Sequence, residues 1–125
     1  MTGDRRRSQK ERRAAARVAA VFAVKSVARG RLQLGQAEDL SPTGMTVRRP
    51  KDLALSPGTG LVLTFALPGD GSMLRLSALV ISDRLSGSFR RTGVRFVALA
   101  ADQQQQIAGF YRSQLAPAYP TAIVA

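Results

Sequence analysis

The sequence predicts an all-β fold, a small sandwich or barrel of six strands followed by a single helix. Short segments rich in Val, Leu, Ile and Phe alternate with Gly- and Pro-containing turns from Val18 onward, and only after Leu99 does the apolar spacing lengthen to about 3.6 residues. A further observation bounds the answer. With 125 residues, 45% of them hydrophobic, the chain can bury one core but hardly two, so one domain is expected.

Taken in order, residues 1–17 hold seven basic side chains (Arg5, Arg6, Arg7, Lys10, Arg12, Arg13, Arg17) against Asp4 and Glu11. Apart from Met1 they include no apolar residue larger than alanine, so this arm cannot bury itself and is expected to be flexible when free. The plain alternative is a solvated basic tail, or the first turn of a basic helix. Strands are expected over 18–28, 31–39, 44–49, 60–67, 73–84 and 90–98. The punctuation between them is turn chemistry: Arg29-Gly30, Ser56-Pro57-Gly58-Thr59-Gly60, Pro68-Gly69-Asp70-Gly71 and Ser86-Gly87-Ser88. Leu74, Leu76, Ala78 and Val80 alternate with Arg75 and Ser77, and Val94 and Phe96 flank Arg95, so one face is buried and one is wet. Beyond Leu99, Ile107, Phe110, Tyr111 and Leu115 fall on one helical stripe that Asp102 is placed to cap and Pro117 to end. That helix is expected to plug one end of the β structure. The tail 116–125 is too short to form a domain.

Composition narrows the function. Lys and Arg total 19 against 8 acidic residues, a net charge of +11, which favours anionic partners such as nucleotides, nucleic acid or an acidic protein face. Without cysteine or histidine the chain offers no disulfide, no thiolate, no common zinc site and no histidine base. No metal site and no catalytic constellation are visible, so binding is expected rather than catalysis. The basic start followed by Val18 to Val24 loosely resembles a secretory signal. The run is short, bracketed by Arg17 and Lys25 and rich in strand formers, and no segment has the length of a membrane span, so a soluble cytoplasmic protein is expected.

Two elements carry chemistry. A guanidinium fork presents paired donors that match phosphate oxygens or guanine O6 and N7, whereas a carboxylate accepts from guanine N1 and N2 on the opposite edge. The arm supplies such forks in Arg12, Arg13 and Arg17. The stretch Asp39-Leu40-Ser41-Pro42-Thr43-Gly44 supplies a carboxylate and hydroxyls on a β-turn, with Pro42 presetting φ. Together they describe a pocket for a guanine nucleotide. Read alone, the same stretch is equally a structural turn in which Asp39 and Ser41 bond the backbone and Gly44 is a turn glycine.

In these residues the chain resembles the PilZ family, bacterial receptors for the second messenger cyclic di-GMP, known by R-x-x-x-R followed by [DN]-x-S-x-x-G. Arg13-Ala14-Ala15-Ala16-Arg17 and Asp39-Leu40-Ser41-Pro42-Thr43-Gly44 match both patterns in order, and Thr92-Gly93-Val94-Arg95-Phe96 looks like the strand that closes the family's barrel. The resemblance implies a six-stranded antiparallel β-barrel with one C-terminal α-helix and a flexible basic N-terminal arm, partitioned as arm 1–11, domain 12–115 and tail 116–125. It also implies that Arg13 and Arg17 pair with the phosphates and the guanine O6/N7 edge of cyclic di-GMP. Asp39 and Ser41 would take the other guanine edge, and Gly44 would leave room for the ligand to approach. An arginine at position 12 resembles members that bind a stacked pair of ligand molecules. Arg48, four residues after Gly44, is either a further ligand contact or an exposed strand arginine. The chain departs from members that stack a tryptophan on guanine: it has none, and the corresponding strand reads Leu79-Val80-Ile81-Ser82-Asp83-Arg84, leaving Arg84 or a second ligand to stack.

The function implied is a cyclic di-GMP receptor, not an enzyme. It would order its arm on binding and signal in trans to an effector protein, or through a homodimer. Two alternatives stand beside it: a basic nucleic-acid-binding protein, which the 6% aromatic content and the absence of a recognisable RNA- or DNA-binding motif disfavour, and a PilZ-like interaction domain that no longer binds ligand.

Overall fold

The structure, a computed structural model, describes residues 17–69 and 71–115. Among these residues six strands follow one another as β1 (Val18–Ala28), β2 (Arg31–Ser41), β3 (Gly44–Pro50), β4 (Gly60–Ala66), β5 (Met73–Ser86) and β6 (Phe89–Val97), and are followed by one helix, α1 (Ala101–Leu115). Every pairing is antiparallel and the ring closes in the order β1-β2-β3-β6-β5-β4, which is the six-stranded barrel that the family resemblance implies. The expected arm 1–11 and tail 116–125 lie outside the described residues.

Strand bounds follow local chemistry. β1 and β2 meet in a two-residue turn whose Arg29 and Gly30 both have positive φ, the twist that suits a tight hairpin. β2 runs two residues further than expected because Ser41 still pairs with Gly44, and β5 runs further because Leu85 and Ser86 pair with Arg90 and Phe89. β6 stops at Val97 because Ala98 turns to φ 53°, a left-handed conformation that ends pairing.

The core fills the ring from all strands. β1 alternates strictly, with Val18, Ala20, Phe22, Val24, Ser26 and Ala28 facing inward. Phe65, Leu40, Met45, Leu63 and Val94 are almost fully enclosed, and the Phe22 and Phe65 rings pack 5.2 Å apart. Burying each such side chain is worth about 1.5–3 kcal/mol.

Because the strands alternate in direction, the two open ends of the ring have different covers. At one end, α1 sends Ile107 and Tyr111 into the core beside β1 and β2, with Phe110 packed at its edge. Leu115, expected on the same stripe, is 45% exposed and takes no part. Nor does Asp102 cap the helix: Gln103 Oε1 accepts the Ala100 N–H (3.1 Å) and Gln103 Nε2 donates to the Arg75 carbonyl on β5 (2.9 Å). The glutamine reaches both groups from the third helical position, as in one half of a capping box.

At the other end, the connection from β3 to β4 inserts Leu55 and is pinned by a buried ion pair. Arg49 Nη2 donates to Asp83 Oδ1 (3.0 Å) and to the Leu53 carbonyl (2.9 Å), Arg49 Nε donates to Thr92 Oγ1 (2.8 Å), and Arg49 also bonds Gln33. Asp83 in turn accepts from the Thr92 hydroxyl (2.7 Å), the Leu55 N–H (2.8 Å) and Arg90 (3.3 Å). Among the described residues no buried side-chain polar atom lacks a partner, as burial of charge demands. None of their helices is long and apolar enough to cross a membrane.

Candidate functional site

The antiparallel order places the start of β1, the β2–β3 turn and the end of β6 at the same end of the barrel, the end that α1 covers. Ala19 is in register with Asp39, so Arg17, just ahead of β1, arrives beside the first residue of the turn motif. Arg17 Nη1 donates to Asp39 Oδ1 and to Thr46 Oγ1, each at 3.0 Å. Asp39 Oδ1 also accepts the Thr46 N–H at 3.0 Å, which ties the carboxylate across β2 and β3. Residues 22 positions apart in sequence, one from each motif, therefore form a half-exposed ion pair.

Asp39 faces this way because β2 carries an extra residue. Between the pairs Ala37 with Val47 and Asp39 with Thr46, Glu38 has no opposite number. A bulge of this kind re-aims side chains, and here it turns two consecutive carboxylates, Glu38 and Asp39, away from the core.

The rest of the turn motif serves the turn itself. Ser41 is buried; its Oγ accepts the Thr43 N–H (3.3 Å) and donates to the Gly44 carbonyl (3.4 Å). Gly44 is needed by the barrel, since a Cβ there would lie 2.2 Å from the Val94 carbonyl oxygen on β6. The Thr43 carbonyl accepts the Phe96 N–H at 2.8 Å, clamping the turn to the end of β6.

Beside the Arg17–Asp39 pair opens a cavity of about 180 Å³ lined by Arg17, Thr46, Ile81, Ser82, Arg84, Arg91 and Gly93. Ile81 reaches it through a second bulge, between the pairs Val80 with Val94 and Ser82 with Gly93. Gly93 forms its floor, where a Cβ would come within 2.9 Å of Ser82 Oγ. Three guanidinium groups and no carboxylate line this space, which suits an anionic occupant with an apolar or planar part against Ile81.

Of the residues expected from sequence, Arg17, Asp39, Ser41 and Gly44 lie at one rim of the barrel, and Arg12 and Arg13 lie outside the described residues. Arg48 points outward from β3 but does not line the cavity. Its guanidinium lies 3.9 Å over the Phe89 ring, with Nε 3.7 Å from a Glu38 oxygen. Sequence reasoning missed Thr46, Ile81, Ser82, Arg91 and Gly93. The alternation of Arg91, Gly93 and Arg95 marks an outward face, but which strand sits beside the turn motif is set by the strand order alone. Among the described residues no group of three or more acidic side chains could hold a metal ion.

The family model for the PilZ domain matches residues 11–113. Among solved structures, the chain is similar to the Bacillus subtilis inhibitor of motility MotI/DgrA, with a TM-score of 0.71 and 21% identity over 82% of this chain and 51% of that one. It is also similar to the PilZ domain of Escherichia coli YcgR, solved with c-di-GMP (TM-score 0.65, 17% identity, 87% and 95% covered). A third is the PilZ domain of CeSA from a cellulose-synthesizing bacterium (TM-score 0.61, 22% identity, 78% and 95% covered). At these identities the likeness is one of fold. The chain spans about half the length of MotI/DgrA and nearly all of the two isolated PilZ domains. No curated protein matches it in sequence. With a closed six-stranded antiparallel barrel and a family match over most of its length, the chain belongs to the PilZ domain family.

Proposed function

We propose that the protein is a cyclic di-GMP receptor that works by binding rather than catalysis. The observation that carries this reading is the meeting of Arg17 and Asp39 beside a cavity rich in arginine. Arg17 and Asp39, one residue from each of the two motifs that the family uses for this ligand, meet where the barrel register brings them, and the lining chemistry suits its phosphates. The YcgR PilZ domain, of the same fold, was solved with c-di-GMP, which supports the assignment.

In this reading Arg13 and Arg17 pair with phosphate oxygens and the guanine O6/N7 edge, and Asp39 accepts from the N1/N2 edge. Ser41 and Gly44 shape the turn that holds Asp39, and Arg12 offsets the charge of a second stacked ligand molecule. Arg17 exchanges part of its bonding with Asp39 and Thr46 for the ligand. The arm then orders over the barrel rim, and the surface so formed is read by an effector protein or a second copy of the chain in the cytoplasm.

Isothermal titration calorimetry with cyclic di-GMP, with GTP as control, tests this directly. The wild type is expected to bind cyclic di-GMP and not GTP, and Arg13→Ala to abolish binding with an unchanged melting temperature. Binding that survives in Arg13→Ala removes the site assignment. A stoichiometry of two, falling to one in Arg12→Ala, supports the stacked pair.

A further inference from the structure

The outer faces of β3, β6 and β5 carry a row of like charges that the motifs do not account for. Arg91 on β6 stands in register with Arg48 on β3 on one side and with Arg84 on β5 on the other. Like charges directly opposite in a sheet repel, so the row works against the barrel that carries it. Its counter-ion among the described residues is Glu38, the residue the β2 bulge turns outward. Glu38 Oε1 accepts from Arg91 Nε at 2.7 Å and Oε2 from Arg91 Nη2 at 3.2 Å, while Arg48 Nε lies 3.7 Å from Oε2. Phe89 supports both cations, with the Arg48 and Arg91 guanidinium carbons 3.9 and 5.8 Å from its ring centre.

The Arg91 fork is thus held in place, half exposed, against two oxygens of one carboxylate. That is also the geometry in which a guanidinium takes two oxygens of a phosphate. Arg91 and Arg84 line the cavity next to Arg17, together with Gly93 and Ser82.

We propose that Arg91, flanked by Arg84, anchors a phosphodiester of the bound cyclic dinucleotide, and that Glu38 competes with that phosphodiester for the same guanidinium. This rests on the receptor reading above and adds to it a residue outside both motifs and an internal competitor that weakens binding. In taking the Nε–H and Nη2–H fork a ligand phosphate displaces the Glu38 carboxylate, so affinity is set by the difference between the two anions rather than by Arg91 alone.

Calorimetric titration of cyclic di-GMP into the wild type, Arg91→Gln, Glu38→Gln and Arg75→Gln, each checked by thermal melting, tests the proposal. Arg91→Gln is expected to weaken binding by about tenfold or more, as loss of a charge-assisted pair does. Glu38→Gln is expected to strengthen binding several-fold. Arg75→Gln, which removes the same charge from an exposed site on β5 away from the row, is expected to bind as the wild type does. Opposite signs for Arg91→Gln and Glu38→Gln are the decisive result, because a merely structural ion pair weakens binding when either partner is removed. The proposal is overturned by wild-type affinity in Arg91→Gln, by Glu38→Gln binding no better than the wild type, or by an equal loss in Arg75→Gln. A wild type that does not bind removes the receptor reading and this proposal together, whereas a binding wild type with unchanged Arg91→Gln overturns this proposal alone.

Discussion

Arg49 and Asp83, with side chains 1% and 3% exposed, form an ion pair as deeply buried as the apolar core around it. Such a pair costs desolvation on both sides, and it persists here because each nitrogen of the guanidinium and each oxygen of the carboxylate has a further partner among Thr92, Gln33, Leu53, Leu55 and Arg90. Burial alone would raise the Asp83 carboxyl, but the Leu55 N–H, the Thr92 hydroxyl and the Arg49 guanidinium outweigh it and hold the carboxyl below its ordinary range. Folding therefore favours the carboxylate: its stabilisation is present above the unfolded value, about 3.9, and is lost as pH falls through the lower folded value. Asp83→Asn is expected to cost about 3–5 kcal/mol at neutral pH, because it leaves Arg49 buried without its counter-charge. The gap to the wild type is expected to narrow below about pH 4. Guanidinium chloride midpoints at pH 7 and pH 3 check both points, and an equal gap at the two pH values refutes the linkage. Gly44 carries a different lesson at this scale. Since any side chain there meets the Val94 carbonyl at 2.2 Å, a substitution that loses ligand binding reports on the barrel rather than on ligand contact.

Among the elements, the junction of β6 with α1 holds a conformation that its residue does not favour. Ala98 sits at φ 53°, where a Cβ crowds the following carbonyl at a cost of about 1–2 kcal/mol. The position is held from both sides, by Phe96 bonded to the Thr43 carbonyl and by Gln103 bonded to Ala100 and Arg75. Ala98→Gly is expected to relieve the strain, and after the added freedom of the unfolded glycine the net gain is up to about 1 kcal/mol. Chemical denaturation measures it, and a destabilised variant contradicts the strain. The same element scale explains the site. Register shifts occur at Ala19/Phe22 on β1, at Glu38 on β2 and at Ile81 on β5, all near the start of β1, the turn motif and the cavity. These irregularities are what point Asp39, Glu38 and Ile81 outward.

At the scale of the whole molecule, closure of the ring gives each strand a partner on both sides, with β4 returning to β1 over Val24–Val27. Each strand is held on both sides, so no strand can detach without opening two pairings. Hydrogen exchange in the native state is therefore expected to show central amides of all six strands exchanging through one common opening, whose free energy equals that of global unfolding. A strand that exchanges well below that value contradicts the closed ring. The described residues carry 13 basic side chains against 5 acidic ones, largely as exposed arginine, which gives long-range attraction to anions, so affinity for an anionic ligand is expected to fall as salt rises.

Strand existence, the helix after Leu99, the buried faces and the two motifs were all legible in the chain by itself, because they depend on local patterns. Alternation along β1 and β5, the Arg29-Gly30 turn and the i, i+3, i+4 spacing of Ile107, Phe110 and Tyr111 each report on a few neighbouring residues. Resemblance to a family then put Arg17 and Asp39 in one site, and the register of β1 on β2 does bring them together. Periodicity left barrel and sandwich open, and the family resemblance chose the barrel that the strand order realises. Only the tertiary structure decided the rest. The neighbours of β6, the bulges at Glu38 and Ile81, and the row formed by Arg48, Arg91 and Arg84 depend on pairing between strands distant in sequence. The burial of Arg49 and Asp83, 34 residues apart, is of the same kind. An arginine reads alike in sequence whether it faces water, a carboxylate or the core, and what it faces is set by partners that no local pattern names.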